Sequence, residues 1–200
     1  MIDKKLLTKI RELADSSNWM IRGDATGEIR KINDKQFEQY FPMWQEWVRD
    51  ENPNIRRATE VGLLRIKKKY VEQALTLLEP LLYDADKYVK KNCGPFVLSA
   101  VCNKDPVLGF ERLTQWSKDK DINVRWNIAM CLGVNFGVKH HIKALKLLRK
   151  LSTDNCRYIW RAVASSLIKL TRKYPEIKNE VLHWDNCKDC LDVVKKYVGD

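Results

Sequence analysis

Apolar residues along the chain recur at intervals of three and four positions, the spacing that places them on one face of an α-helix. Five similar segments each open on a β-branched residue, and these five anchors are 34, 34, 35 and 35 residues apart. Eight residues after each anchor stands a second aliphatic residue, which falls on the same face of the helix. So regular a period indicates a repeated helical unit. The anchors are Ile21, Ile55, Val89, Val124 and Ile159.

A second helical pattern lies between these segments, at residues 37–48, 71–82, 107–116 and 142–151. Short polar joints rich in Asp and Asn separate the patterns, and such side chains cap the free N–H groups of a following helix. Pro53 suits the first turn of a helix, where no backbone donor is lost. The unit is therefore helix, turn, helix. We predict an all-α fold, a right-handed α-solenoid of about five HEAT-like repeats with a period of 34–35 residues.

The same pattern predicts one continuous repeat domain over residues 1–200, with no linker. Residues 1–16 fit the outer helix of the first pair, and residues 185–199 fit a terminal capping helix. Pro95 lies inside a helical segment, and we expect it to kink that helix. The tetratricopeptide period is similar, but its Trp, Leu, Gly and Tyr spacing is absent.

The chain is strongly basic, with 37 Lys and Arg against 26 Asp and Glu, which gives a formal net charge of +11. Most of this excess lies in residues 101–200, and it favours a polyanionic partner, nucleic acid before anionic membrane. A merely soluble basic protein is the alternative. No apolar run approaches the length of a membrane span, and no secretory signal is visible. We therefore expect a cytoplasmic protein.

The six cysteines are scattered through apolar helical runs, which is typical of reduced core cysteines. Cys187 and Cys190 form a lone CxxC motif. A zinc site would need a second pair of ligands, and only His183 and the adjacent His140 and His141 are candidates. Two cysteines on a helix face are therefore the favoured interpretation, and we predict no metal site.

Cations recur at equivalent positions just after the anchors. The first row after the anchor consists of Arg22, Arg56, Lys90, Arg125 and Trp160, and the second of Gly23, Arg57, Lys91, Trp126 and Arg161. In a solenoid such positions stack into rows, and regularly spaced cations beside helix N-termini suit a phosphate backbone. Trp126 and Trp160 could stack on a base or sugar, although burial is the commoner fate of tryptophan. Alternatively, the cations of the first row pair with Asp residues of neighbouring turns, but one carboxylate cannot neutralise a doubled pair of cations.

Asp24 is the only carboxylate in the third row, and it follows closely after Trp19. The alternative to a functional role is a simple ion pair with Arg22 or with Arg57 of the next repeat.

Four segments resemble the bacterial HEAT-repeat DNA alkylation-repair proteins of the AlkD/AlkC type. They are NWMIRGD at residues 18–24, WVRDENPNIRRA at 47–58, YVKKNCGPF at 88–96 and VRWNIA at 124–129. The resemblance implies a helical solenoid that holds duplex DNA in a basic concave groove. Active members of this family hydrolyse the N-glycosidic bond of cationic alkylated purines. We therefore expect a monomeric cytoplasmic protein that is associated with the nucleoid. Its expected partner is double-stranded DNA, and no interaction with a membrane is expected.

Carried over to this chain, the resemblance makes Asp24 the catalytic carboxylate and Trp19 an aromatic residue near it. Arg56, Arg57, Lys90 and Lys91 match positions that contact the DNA backbone. A carboxylate stabilises the oxocarbenium-like charge on the sugar, and indole rings add cation–π attraction. No metal or other cofactor is needed. Two alternative functions stay open. One is non-catalytic binding of branched or damaged DNA, and the other is a scaffold that binds proteins.

Overall fold

The computed structural model describes residues 2–199, and within them the regular secondary structure is entirely helical. The chain divides into two compact units between Cys93 and Gly94, and each is described by itself. The all-α solenoid predicted from the repeat spacing is confirmed, whereas the single domain over residues 1–200 stays a prediction. Within residues 2–199, no helix has both the length and the apolar character needed to cross a membrane.

The first unit contains five α-helices. Helix α2 includes one residue with non-helical backbone angles, Gln36 (φ −138°, ψ 28°), where two helical segments meet. The sequence predicts these segments separately, as the first anchor helix and the pattern at residues 37–48. The helices are α1 (Lys4–Ala14), α2 (Trp19–Trp47), α3 (Pro53–Gly62), α4 (Val71–Leu82) and α5 (Lys87–Asn92), with 3₁₀ turns at Leu63–Arg65 and Lys68–Tyr70.

A π-helical turn, Cys93–Leu98, follows α5. It contains Pro95, which lacks the backbone N–H that a regular helix uses, so the α-helical pattern is interrupted there, while the expected kink stays a prediction. The second unit then continues as α6 (Ser99–Cys102), α7 (Pro106–Trp116), α8 (Ile122–Leu132), α9 (Asn135–Lys139), α10 (His141–Ser152), α11 (Arg157–Lys173), α12 (Lys178–Leu182) and α13 (Lys188–Val198), with a 3₁₀ turn at Pro175–Ile177.

The polar joints cap the helices as the sequence predicts. Asn52 accepts a hydrogen bond from the N–H of Asn54 at 2.9 Å, and Asp121 accepts one from Asn123 at 2.6 Å. Each satisfies an N–H group that has no partner within its own helix. Pro53 is the first residue of α3, as expected.

Four of the five anchors lie in the core. Ile55, Val89, Val124 and Ile159 are no more than 1% exposed, and the aliphatic residue eight positions after each anchor is fully buried. Ile21 departs from the pattern with 37% exposure, in the first repeat, where only α1 precedes it among the described residues.

Consecutive anchor helices in the second unit approach closely through small residues. The N–H of Gly94 donates to Oδ1 of Asn127 at 2.8 Å, and a Cβ atom at Gly94 would overlap the Asn127 backbone. Gly133 in the same way faces Ser166, whose hydroxyl donates to the carbonyl oxygen of Ala129 at 2.8 Å.

The cysteines are free thiols, and five of the six are buried. Cys187 and Cys190 pack against the core at the start of α13, with 5% and 1% exposure. Burial raises the pKa of Cys190 to about 12. Both thiols are therefore buried at the N-terminal end of α13, with Cys187 directly before the helix and Cys190 in its first turn.

Candidate nucleic-acid interface

The arginines of the first row share one local contact. Arg22, Arg56 and Arg125 each donate through Nη1 to two backbone carbonyl groups of the turn that precedes their own helix. The guanidinium groups thereby satisfy oxygen atoms that the helix does not reach. The acceptors are Ser16 and Ser17, Asp50 and Glu51, and Asp119 and Lys120, at 2.7 to 3.0 Å.

Two of these arginines also bind the Asp of the following turn. Nε of Arg56 lies 2.6 Å from Oδ2 of Asp84, and Nε of Arg125 lies 2.7 Å from Oδ2 of Asp154. The hydrogen bond to Asp84 raises the pKa of Arg56. Both arginine side chains are less than one fifth exposed. The charge of these two arginines is thus compensated inside the protein, as the alternative of pairing with the Asp of a neighbouring turn describes, and their contact with phosphate stays a prediction.

The cations of the second row have a different environment. Arg57 is half-buried, while Lys91 and Arg161 are exposed. Within residues 2–199, none of the three forms an ion pair. Arg56 and Arg57 are therefore in different environments. Arg56 binds the backbone of the preceding turn and Asp84, whereas Arg57 forms no ion pair and is half-buried at the surface.

The first unit carries a further pair of cations that the sequence analysis missed. Arg30 and Arg65 line a shallow pocket of about 240 Å³ together with Gly27, Lys31 and Asp34. Partial burial, and then the nearby charge of Arg65, lower the pKa of Arg30. These residues stand nine and ten positions after Ile21 and Ile55. Because the two positions are not equivalent in the repeat, no single row of the sequence contains both residues.

The two indoles of the rows are both half-buried. The ring of Trp126 stacks on that of Tyr158, with centroids 5.6 Å apart and planes 11° from parallel. Tyr158 is 42% exposed, so the pair presents aromatic surface. Tyr158 was missed because the rows began after the anchor, whereas Tyr158 directly precedes Ile159. Trp160 lines a different pocket, beside Cys187 at the start of α13.

Asp24 and Trp19 both lie at the surface, and Trp19 is 73% exposed. No ion pair engages Asp24 within the described part of the chain, since Arg22 turns to the Ser16 and Ser17 carbonyls instead. At 100° per residue, side chains five positions apart diverge by about 140° around a helix. The two side chains therefore leave α2 in different directions. Lys90 is half-buried, next to the exposed Lys91.

Comparison with known proteins places the chain in one fold class, the all-α solenoids of HEAT-type repeats. The structure of AlkD2 from Streptococcus mutans is similar over 98% of this chain and 99% of that chain, with a TM-score of 0.73 and 12% sequence identity. The fold is thus AlkD-like. A designed armadillo repeat protein in complex with the peptide (KR)4 (TM-score 0.40, 12% identity, 96% of this chain and 98% of that chain) is too distant to support an argument. No family model and no curated protein matches the sequence.

Proposed function

We propose that this protein binds DNA through the phosphate backbone, using Arg57, Lys91 and Arg161 as its principal contacts. The observation that carries the proposal is the contrast between the arginines of the first row and the cations of the second row. The arginines at the first position are satisfied by backbone carbonyls of the turns, and two of them also by an Asp. The second-row cations stay at or near the surface and form no ion pair within residues 2–199. Exposed cations at repeated helix starts suit a chain of phosphates.

The experiment measures the affinity for a short duplex by fluorescence anisotropy as the salt concentration varies. Each phosphate contact releases counterions, so losing one lowers the slope of log K against log salt by about 0.9. We expect the double variant R57Q/K91Q to bind at least tenfold more weakly, with a slope lower by about 1.8. The matched control, K67Q/K68Q, removes two exposed charges from the segment between α3 and α4.

Two results would overturn the proposal. Equal losses in the variant and the control would mean that only the total charge matters. Absence of measurable duplex binding by the wild-type protein at physiological salt would leave the protein-binding scaffold as the better interpretation.

One observation favours a second candidate function, hydrolysis of the N-glycosidic bond of alkylated purines. The Asp24 carboxylate is exposed and free of ion pairs among the described residues, so its negative charge is available to a bound sugar. In this reaction the cationic base departs with the bonding electron pair as a neutral molecule. Water adds to C1′ of the deoxyribose and loses a proton, and a nearby carboxylate stabilises the developing positive charge.

The test of this second candidate is chromatography of the bases released from methylated duplex DNA. We expect the wild-type protein to release 7-methylguanine and the D24N variant to release none, with unchanged affinity for DNA. The D34N variant is the control, because Asp34 is an exposed carboxylate further along the same helix. Duplex binding by the wild-type protein without release of base would exclude this candidate and leave the binding function intact.

A further inference from the structure

Helix α11 carries a large excess of positive charge. Its 17 residues include five cations and no Asp or Glu. Two of the five, Arg157 and Lys173, lie at its ends, and both are exposed. The other three are Arg161, Lys169 and Arg172. They fall at intervals of eight and three residues, which places them along one face.

That face borders an open groove between α11 and α13 in the second unit, with a volume of about 370 Å³. Arg161, Lys169 and Arg172 line it over eleven residues, a length of about 16 Å along the helix. Ser165 and Ile168 lie between them on α11. Ser165 has a small side chain, so it leaves the middle of the groove open.

The opposite wall is apolar and aromatic. It is formed by Val193 and Tyr197 of α13, and Tyr197 is 56% exposed. Arg172 donates a long hydrogen bond of 3.4 Å to the carbonyl oxygen of Tyr197, which links the two walls at one end of the groove. Of the two carboxylates on α13, Asp189 lines a separate pocket and Asp192 does not line this groove. Among residues 2–199, no acidic side chain lines the groove beside these three cations.

We infer that the groove between α11 and α13 holds the sugar–phosphate backbone of one nucleic-acid strand. This inference rests on the proposed DNA binding, because Arg161 belongs both to the second row and to the groove. Three cations along one wall match a line of phosphates. The apolar residues and the Tyr197 ring suit the sugars and an exposed base, which an acidic peptide does not offer. The groove thus continues the proposed interface from the start of α11 to its end.

The test uses two double variants of the full chain that differ in position alone. K169Q/R172Q removes one Lys and one Arg from the groove, and R157Q/K173Q removes one Lys and one Arg from the same helix outside it. We expect the groove variant to bind a short duplex about tenfold more weakly and to lower the salt slope by about 1.8. The control should change both less, because neither Arg157 nor Lys173 lines the groove.

A third variant tests the groove without removing a cation. S165E places a carboxylate in the middle of the groove, one helical turn before Lys169, and we expect a similar loss of affinity. Circular dichroism checks that each variant is folded, so that loss of binding by S165E or by K169Q/R172Q in the folded state counts as support.

Three outcomes would overturn the inference. The first is an equal loss in K169Q/R172Q and R157Q/K173Q. The second is unchanged affinity in S165E and K169Q/R172Q while R57Q/K91Q binds weakly, which removes the groove and retains the proposed function. The third is binding of polyglutamate with the same affinity and the same dependence on Lys169 and Arg172, which would assign the groove to an acidic protein partner.

Discussion

Arg56 and Asp84 form a two-point contact between the start of α3 and the turn before α5. Nε of Arg56 lies 2.6 Å from Oδ2 of Asp84, and Nη2 lies 3.0 Å from Oδ1. The remaining terminal nitrogen binds the carbonyls of Asp50 and Glu51. One guanidinium thus ties together two successive turns of the first unit. Arg125 and Asp154 repeat the ion pair in the second unit.

This contact predicts opposite roles for two adjacent arginines. We expect Arg56→Gln to lower the free energy of unfolding by about 2 kcal/mol, because the buried Asp84 loses charged hydrogen-bond donors. Arg57→Gln should change it by less than about 0.5 kcal/mol, as is usual for a side chain without such contacts. Urea denaturation of the two variants measures both values. Equal destabilisation would contradict the structural role of the first position.

The sequence predicts the repeat architecture well because the period depends on the core. Four of the five anchors, Ile55 and Val124 among them, are buried, so their spacing reveals the helices directly. The joints between the helices could also be predicted from the sequence, because an Asp or Asn cap accepts hydrogen bonds from the backbone directly after it. Helices α4, α7 and α10 accordingly lie within one residue of their predicted ranges.

The functional assignment of individual cations could not be predicted in the same way. Whether Arg56 faces a turn carbonyl or the solvent depends on the direction of its side chain and on the path of the preceding turn. Both follow from the three-dimensional packing of neighbouring repeats rather than from position in a row. The stacking of Trp126 on Tyr158 is likewise a contact between residues 32 positions apart, in two successive repeats.

Glu60 gives the protein a pH-dependent stability. Its side chain is fully buried in α3, and burial raises its pKa well above the ordinary value, with Cys93 and Arg57 opposing this shift only in part. In the unfolded chain the carboxyl ionises near pH 4.3. The folded protein keeps the proton, so this contribution to stability is complete below that pH and is lost as the pH rises.

We therefore expect the wild-type protein to lose stability as the pH rises from about 4.3 towards the raised pKa of Glu60, by up to about 1.4 kcal/mol per pH unit from this group. The Glu60→Gln variant should lack that part of the decline. Glu72→Gln, at an exposed position of α4, should retain it. Denaturation midpoints measured across this pH range compare the three proteins. Parallel pH profiles for all three would contradict a buried neutral carboxyl group.

The cysteines should differ sharply in reactivity. Cys156 is the only one of the six that is not buried, whereas Cys190 combines burial with a pKa of about 12. The thiolate is the reactive species, so a disulfide reagent at pH 8 should label Cys156 quickly in the native protein. Mass spectrometry of the digested protein identifies the labelled site, and the Cys156→Ser variant is the control. Rapid native labelling of Cys190 would contradict the packing of α13.

The close approach at Gly94 predicts a stability effect opposite in sign to that at Gly27. A methyl group at Gly94 would overlap the Asn127 backbone, so we expect Gly94→Ala to destabilise the protein by about 1–3 kcal/mol. Gly27 lies inside α2, and a methyl group there would meet no other atom within 4 Å, so Gly27→Ala should stabilise the protein by about 0.5–1 kcal/mol through helix propensity. Urea denaturation of both variants compares the same chemical change in two environments. If both variants were stabilised, the two anchor helices would lie further apart than the hydrogen bond from Gly94 to Asn127 requires.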